Sequence, residues 1–170
     1  MRKMLLSFKP SVYDKIYAGI KIFEHRRNFP NEPIMAYMYV SKPVRAITGI
    51  VMLDNRHKLS DWENDFNTDS DAVARIQEYQ KFYRYAMEIT EFQETNSISL
   101  DDLKKDIDGF VVPQSYIYLD NNPRLLKYIE ERIIRNGLEI KHDFSNITSD
   151  QICVAKKSIY YRNYPASQTR

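Results

Sequence analysis

Apolar positions recur along this chain in three rhythms, and each rhythm predicts a different element. Leu5-Leu6-Ser7-Phe8 reads as a short strand. Pro10 follows where a helix accepts its first residue, because the missing N–H would have been unpaired there anyway. Val12 with Ile16 and Tyr13 with Tyr17 repeat four apart, so a short amphipathic helix is predicted over 10–18, closed by Gly19. From Lys21 to Arg27 the rhythm becomes alternating. Ile22, Glu24 and Arg26 fall on one side of an extended segment, and Lys21, Phe23, His25 and Arg27 fall on the other.

Residues 34–40 and 44–53 are near-continuously apolar and rich in strand formers, with Ser41-Lys42-Pro43 as a compact turn between them. Such continuity predicts strands covered on both faces. An acidic, polar stretch surrounds Asp61-Trp62-Glu63, and a helix is predicted over 71–82 with Val73, Ile76, Tyr79 and Tyr83 on its stripe. Residues 84–92 alternate as a further strand. Ser99 with Asp102 forms a helix-start box for a turn at 100–106, and a strand is expected at 116–119 after the Pro113-Gln114-Ser115 loop. The strongest helical pattern covers 123–136, with Pro123 at its start, Leu125, Leu126, Ile129 and Ile133 inside, and Gly137 at its end. Ile159-Tyr160-Tyr161 offers one more short strand. Strands joined by tight turns predict antiparallel pairing. The expected class is α+β, a small and mostly antiparallel β-barrel with flanking helices. Residues 1–119 form the expected barrel domain, and 120–170 a helical C-terminal extension packed on it. The alternative occupant of the 123–136 stripe is a second copy, giving a homodimer.

The 170 residues are 43% hydrophobic and include 13 tyrosines, which is enough apolar matter for a core and excludes wholesale disorder. No uncharged apolar run approaches the ~18–20 residues of a membrane span. The few apolar residues before Lys9 fall short of the ~7–15 of a secretory signal. Cys153 is the single cysteine, which excludes an internal disulfide framework and suits a reducing, cytoplasmic setting. Its neighbours Ile152 and Val154 mark it as a packed apolar group. His25, His57 and His142 make no metal-binding doublet and the four glycines are isolated, so neither a metal nor a phosphate-cradling cofactor loop is expected.

Charge changes this picture. The net +2 conceals nine Lys/Arg against three acids in residues 1–45, with 16 against 20 in the remainder. A basic segment on a near-neutral protein is a landing place for phosphates. Its densest part is Lys21-Ile22-Phe23-Glu24-His25-Arg26-Arg27. If this strand lies beside the first one, Lys9, Lys21, Glu24 and Arg26 converge near a helix end. An arginine fork suits phosphate or a base edge, and a neighbouring glutamate orients it or accepts from an amino group. The plainer alternative is a surface strand carrying a Glu–Arg ion pair.

Leu6-Ser7-Phe8-Lys9-Pro10 followed by Tyr17-Ala18-Gly19-Ile20-Lys21-Ile22-Phe23-Glu24-His25-Arg26-Arg27 resembles the "SIKP…I-x-x-G-x-K-x-x-E-x-R-R" opening of the ASCH domain family. Residues 37–49 are similar to that family's "YIYAS-x-P-V-x-x-I-x-G" strand pair. Tyr85-Ala86-Met87-Glu88-Ile89 is similar to its "GYAI-x-I" strand, and Ser99-Leu100 with residues 113–119 to its "SL…PPQS-F-x-x-L" end. The matches keep their order from residue 5 to about 119. The resemblance implies a PUA-like barrel that binds RNA or modified nucleosides in a cleft near the G-x-K-x-x-E-x-R motif. Lys9, Lys21, Glu24, Arg26 and Arg27 are the expected contacts, with Ser41 and Lys42 of the turn. Some small members are amidohydrolases acting on N4-acetylcytidine through a Lys–Thr–Glu set. Lys21 matches that lysine, but Glu24 stands where the threonine would be, so the hydroxyl is missing. Under the alternative reading, a small metal-independent hydrolase, Lys21 and Glu24 are the catalytic pair.

Overall fold

The computed structural model describes residues 1–155. These form β1 (Arg2–Phe8), α1 (Pro10–Tyr17), β2 (Phe23–Arg26), β3 (Ile34–Val40), β4 (Ala46–Lys58), α2 (Leu59–Asp65), α3 (Ser70–Gln80), β5 (Tyr85–Ser99), α4 (Leu100–Asp106), β6 (Tyr116–Tyr118), α5 (Pro123–Arg132) and β7 (Arg135–Lys141). The segment Ile159-Tyr160-Tyr161 lies outside the described residues.

One curled, half-barrel sheet runs β2-β5-β4-β3-β1-β6, with β7 added alongside β5. Every pairing is antiparallel except β1 with β3, because α1 and β2 intervene between them as a crossover. The α+β architecture expected from the sequence is therefore present. β3 and the first part of β4, residues 46–53, are buried on both faces, as their apolar runs require. Ala36, Met38 and Val40 enter the barrel interior with Met4, Leu6, Phe8 and Phe92, while Tyr37 and Tyr39 face outward. The outward layer is covered by α4 and α5 through Leu103, Leu125, Tyr128 and Ile129. Each such aliphatic side chain contributes about 1.5–3 kcal/mol on burial. A third cluster sits under α2 and α3: Phe23, Leu59, Trp62, Ile76, Ala86, Ile152 and Cys153.

Three sequence expectations need correction. The helix expected over 123–136 ends at Arg132, and the chain turns into β7, with Gly137 (φ +77°) inside that strand. Asn96 of β5 draws the chain away. Its Nδ2 donates to Arg132 O at 2.9 Å, and its Oδ1 accepts from Ile134 N at 2.8 Å. The acidic stretch around Trp62 is the helix α2, which buries only Leu59 and Trp62 and so shows no periodic stripe. Finally, β2 does not pair with β1. It pairs with β5, in the register Glu24↔Met87 and Arg26↔Tyr85.

Candidate nucleoside-binding cleft

The candidate site lies at the end of α1 and along β2, an edge strand of the sheet. Helix α1 closes in a two-bond turn at Gly19 (φ +76°): Ile20 N donates to Lys15 O at 3.0 Å and Gly19 N to Ile16 O at 3.0 Å. A left-handed residue is required there, which is why glycine occupies it. Lys21 N also donates to Lys15 O at 3.1 Å, so the cap delivers Lys21 directly to the head of β2.

The alternation of β2 then sorts four side chains. Phe23 and His25 turn toward Trp62 and the helices α2 and α3, with the His25 ring 4.7 Å from that of Tyr79. Glu24 and Arg26 turn to the barrel side, where the Arg26 guanidinium lies 5.3 Å from the Phe8 ring. Glu24 Oε1 accepts from His25 N at 3.1 Å and pairs with Arg26 Nε at 3.5 Å. Both side chains are largely out of water, with 6% and 13% of their surface exposed. Arg26 reaches across the gap in the curled sheet. Its Nη2 donates to Ser7 O at 2.7 Å, and its Nη1 to Ser115 O and Oγ at 3.3 and 3.2 Å. The β1–β2 contact read from the sequence is thus made by one side chain and not by a ladder.

Glu24 Oε2 is buried and has no hydrogen-bond partner among the described residues. An unpaired buried carboxylate oxygen costs about 1–3 kcal/mol or more of lost hydration unless something donates to it. Lys21 is half-buried, and its Nζ lies 3.2 Å from His25 Nδ1. Burial lowers the Lys21 ammonium below its ordinary range, and the Glu24 carboxylate opposes that shift. Burial, reinforced by Lys21, pushes the His25 imidazole well below its usual value. His25 is therefore neutral, accepts from Lys21 at Nδ1, and turns Nε2 toward Cys153 Sγ at 3.9 Å. Desolvation raises the Tyr83 phenol, with Glu24 adding to the shift and Arg26 opposing it, and the Tyr83 ring lies 6.1 Å from that of His25.

Glu24 and Arg26 are paired, whereas Lys21 is bonded to His25 and meets them through its charge alone. Among the described residues, no hydrogen bond or ion pair ties Lys9, Arg27, Ser41 or Lys42 to them. Lys9 and Ser41 lie at the adjacent ends of β1 and β3, where Ser41 N donates to Phe8 O at 3.0 Å, and the Lys9 and Lys42 side chains are exposed. Arg27 is exposed just beyond β2. Sequence reasoning missed His25 as the partner of Lys21, although alternation puts the two on one side, and it missed Tyr83, which reaches His25 only because α3 folds back over β2. It also missed Glu88, a second buried carboxylate on β5, which is held by His57 Nε2 at 3.2 Å and Asn55 Nδ2 at 3.0 Å. No group of three His, Cys, Asp or Glu side chains fit to hold a metal gathers among the described residues.

No family model and no curated protein sequence matches this chain. Solved structures do. ASCH from Zymomonas mobilis superposes with a TM-score of 0.58 at 19% identity, covering 78% of this chain and 96% of its own. A serine-to-alanine variant of the Zymomonas mobilis protein gives 0.55 at 20% identity over 74% of this chain and 95% of its own. A tyrosine-to-phenylalanine variant gives 0.56 at 18% identity over 79% and 100%. This chain has an ASCH-like fold. Its curled half-barrel with flanking helices matches that of those structures. No helix among the described residues is long and apolar enough to cross a membrane.

Proposed function

We propose that this protein binds RNA or a modified nucleoside, seating one base in the cleft between Lys21, Glu24 and Arg26. The observation that supports the reading best is the buried, unpartnered Glu24 Oε2 beside two cations. An ionised carboxylate accepts hydrogen bonds and donates none, and an amino-bearing base edge supplies a donor. The Lys21 ammonium carries the positive charge beside that carboxylate and attracts phosphate, while Lys9, Arg27 and Lys42 add charge around the rim. Ser41 offers a hydroxyl at the same end of the sheet. Filter binding of single-stranded RNA over a salt series tests this. The expected result is a log-linear fall in affinity that is steeper for wild type than for Lys21→Ala. No detectable binding at low salt overturns the reading.

A second reading rests on the lowered ammonium of Lys21. A lysine whose ammonium is lowered by burial serves as a general base, with Glu24 as its catalytic partner, in a metal-independent hydrolysis of an acylated cytidine or an RNA linkage. Its test is product formation from N4-acetylcytidine by wild type and Lys21→Ala. Turnover that Lys21→Ala abolishes supports it, and equal turnover in both proteins removes it.

A further inference from the structure

The ladder between β5 and β7 is interrupted at one place, and an Asn-Gly pair occupies it. Gln93 registers with Glu139 and Thr95 with Arg135, so Glu94 of β5 faces three residues of β7, 136–138. A bulge of this kind leaves its extra residues outside the regular pairing. Gly137 stands in the middle of it with φ +77°. Asn136 and Gly137 are both exposed to water, and the Asn136 side-chain amide makes no hydrogen bond among the described residues. Of all the asparagines in the chain, Asn136 alone precedes a glycine. Asn55, Asn96 and Asn122, by contrast, have side chains held by Glu88, by Arg132 and Ile134, and by Leu125 N.

The bulge gathers what a ring closure on Asn136 needs. The electrophilic carbon of an asparagine amide, Cγ, lies within reach of the nitrogen of the next residue. Glycine at that place offers no Cβ to block the approach and adopts the backbone angles that the approach requires. The attacking nitrogen must also give up its proton. Gln93 Nε2 donates to Asn136 O at 3.2 Å, the carbonyl of the same peptide unit, and so draws electron density away from the Gly137 N–H. A proton acceptor stands alongside. The Glu94 carboxylate fills the space where a Cβ on Gly137 would point, and its Oε1 accepts from the next main-chain nitrogen, Leu138 N, at 2.9 Å. In a regular ladder an Asn-Gly pair is protected by its fixed backbone. Here the register shift removes that protection.

We propose that Asn136 is a site of spontaneous covalent modification, where Gly137 N attacks Asn136 Cγ, ammonia leaves, and water opens the cyclic imide to aspartate or isoaspartate. The N–Cγ bond forms as the Cγ–Nδ2 bond breaks, and the Gly137 amide proton departs with the ammonia. Water then adds across either imide C–N bond. One water is consumed, one ammonia is released, and no electron is transferred. Either product places a new carboxylate one residue from the Glu94 contact, where like charges repel. Isoaspartate also lengthens the main chain by a methylene inside the bulge and shifts Leu138 N off Glu94. Because the same Oε1 accepts from Tyr17 OH at 3.1 Å, the change reaches the last residue of α1.

Peptide mapping by mass spectrometry, on folded protein aged in mildly alkaline buffer and on protein aged in urea, tests the site. The expected result is loss of the Asn136 amide in the folded protein, with isoaspartate among the products, while Asn55, Asn96 and Asn122 keep their amides. Aged wild type is expected to melt about 2–4 °C below fresh protein. Asn136→Gln, whose longer side chain closes a ring slowly, is expected to hold its melting temperature over the same interval. An Asn136 amide that survives in the folded protein and is lost only in urea overturns the proposal, since the strand would then be holding Cγ away from Gly137 N. Faster conversion of any other asparagine in the folded protein also overturns it. Full conversion with an unchanged melting temperature keeps the site and overturns its coupling to Glu94.

Discussion

Arg26 donates to the main-chain carbonyl of Ser7 at 2.7 Å, from a strand that shares no backbone ladder with β1. The same guanidinium holds Ser115 and faces Glu24. One side chain therefore spans the opening of the half-barrel and balances the buried carboxylate of the cleft. Arg26→Ala is expected to cost about 2–4 kcal/mol, combining the lost charged hydrogen bonds with a carboxylate left unpaired. Arg26→Lys recovers little of this, because an ammonium cannot fork across both carbonyls. Urea unfolding of the three proteins checks it; an Arg26→Ala midpoint within error of wild type contradicts the seam.

Histidine 25 sets an acid limit on stability. Its folded form resists protonation, whereas in the unfolded chain it titrates near its ordinary 6.5. Above that pH both states are neutral and nothing changes. Below it the unfolded chain takes up a proton that the folded one refuses, so stability falls by up to about 1.4 kcal/mol per pH unit. His142, also lowered by burial, adds a smaller share in the same direction. Denaturant unfolding between pH 7 and about 5 is expected to show a shallower decline in His25→Gln than in wild type. Parallel declines would contradict a neutral, buried His25.

Arg75 straps the end of the described chain under the cleft. It donates to Ile152 O at 2.5 Å and Ser149 O at 2.9 Å, while Tyr79 OH donates to Val154 O at 2.5 Å. Cys153 is buried by that strap, and burial pushes its thiol up to about 12. At pH 8 it is expected to react with a disulfide reagent only through opening of the segment. Arg75→Ala is expected to speed labelling about tenfold or more, the effect of losing ~1.5 kcal/mol or more of local hydrogen bonding. Unchanged labelling would show that the strap is held elsewhere.

Gly137 gives β7 its course beside β5. Its φ of +77° disfavours any side chain, and a Cβ there would collide with the Glu94 carboxylate, which accepts from Leu138 N at 2.9 Å and Tyr17 OH at 3.1 Å. Gly137→Ala is expected to destabilise by about 1–2 kcal/mol, read as a lower thermal midpoint. An unchanged midpoint would mean that β7 carries little of the fold's stability.

Much of the frame is legible in local pattern because local chemistry decides it. Pro10 and Gly19 bracket α1, Ser99 caps α4 by accepting from Asp102 N at 3.1 Å, and the apolar run at 34–40 is β3 residue for residue. Where the pattern misleads, a distant residue has intervened. Leu125, Ile129 and Ile133 keep helical spacing, yet Asn96, far away in sequence, captures the chain after Arg132. The site divides in the same way. Period two puts Glu24 and Arg26 on one side of β2, and their 3.5 Å pairing follows from that. The partner of β2 and the Tyr83 ring beside His25 come from segments that meet only in the folded chain. The wider set of Lys9, Arg27, Ser41 and Lys42 makes no hydrogen bond or ion pair with Lys21, Glu24 or Arg26 among the described residues.

The unpaired oxygen of Glu24 is the centre of the account, and base selectivity addresses it most directly. Calorimetric titration with cytidine 5′-monophosphate and uridine 5′-monophosphate compares a base edge carrying an amino group with one carrying a carbonyl in its place. Wild type is expected to favour cytidine by about tenfold or more, within the ~1–3 kcal/mol that such a hydrogen-bonded edge discriminates. Glu24→Gln, which places an N–H donor among the acceptors, is expected to lose or reverse that preference. Equal affinity of wild type for the two nucleotides, or a preference that Glu24→Gln leaves intact, would contradict a base seated on Glu24.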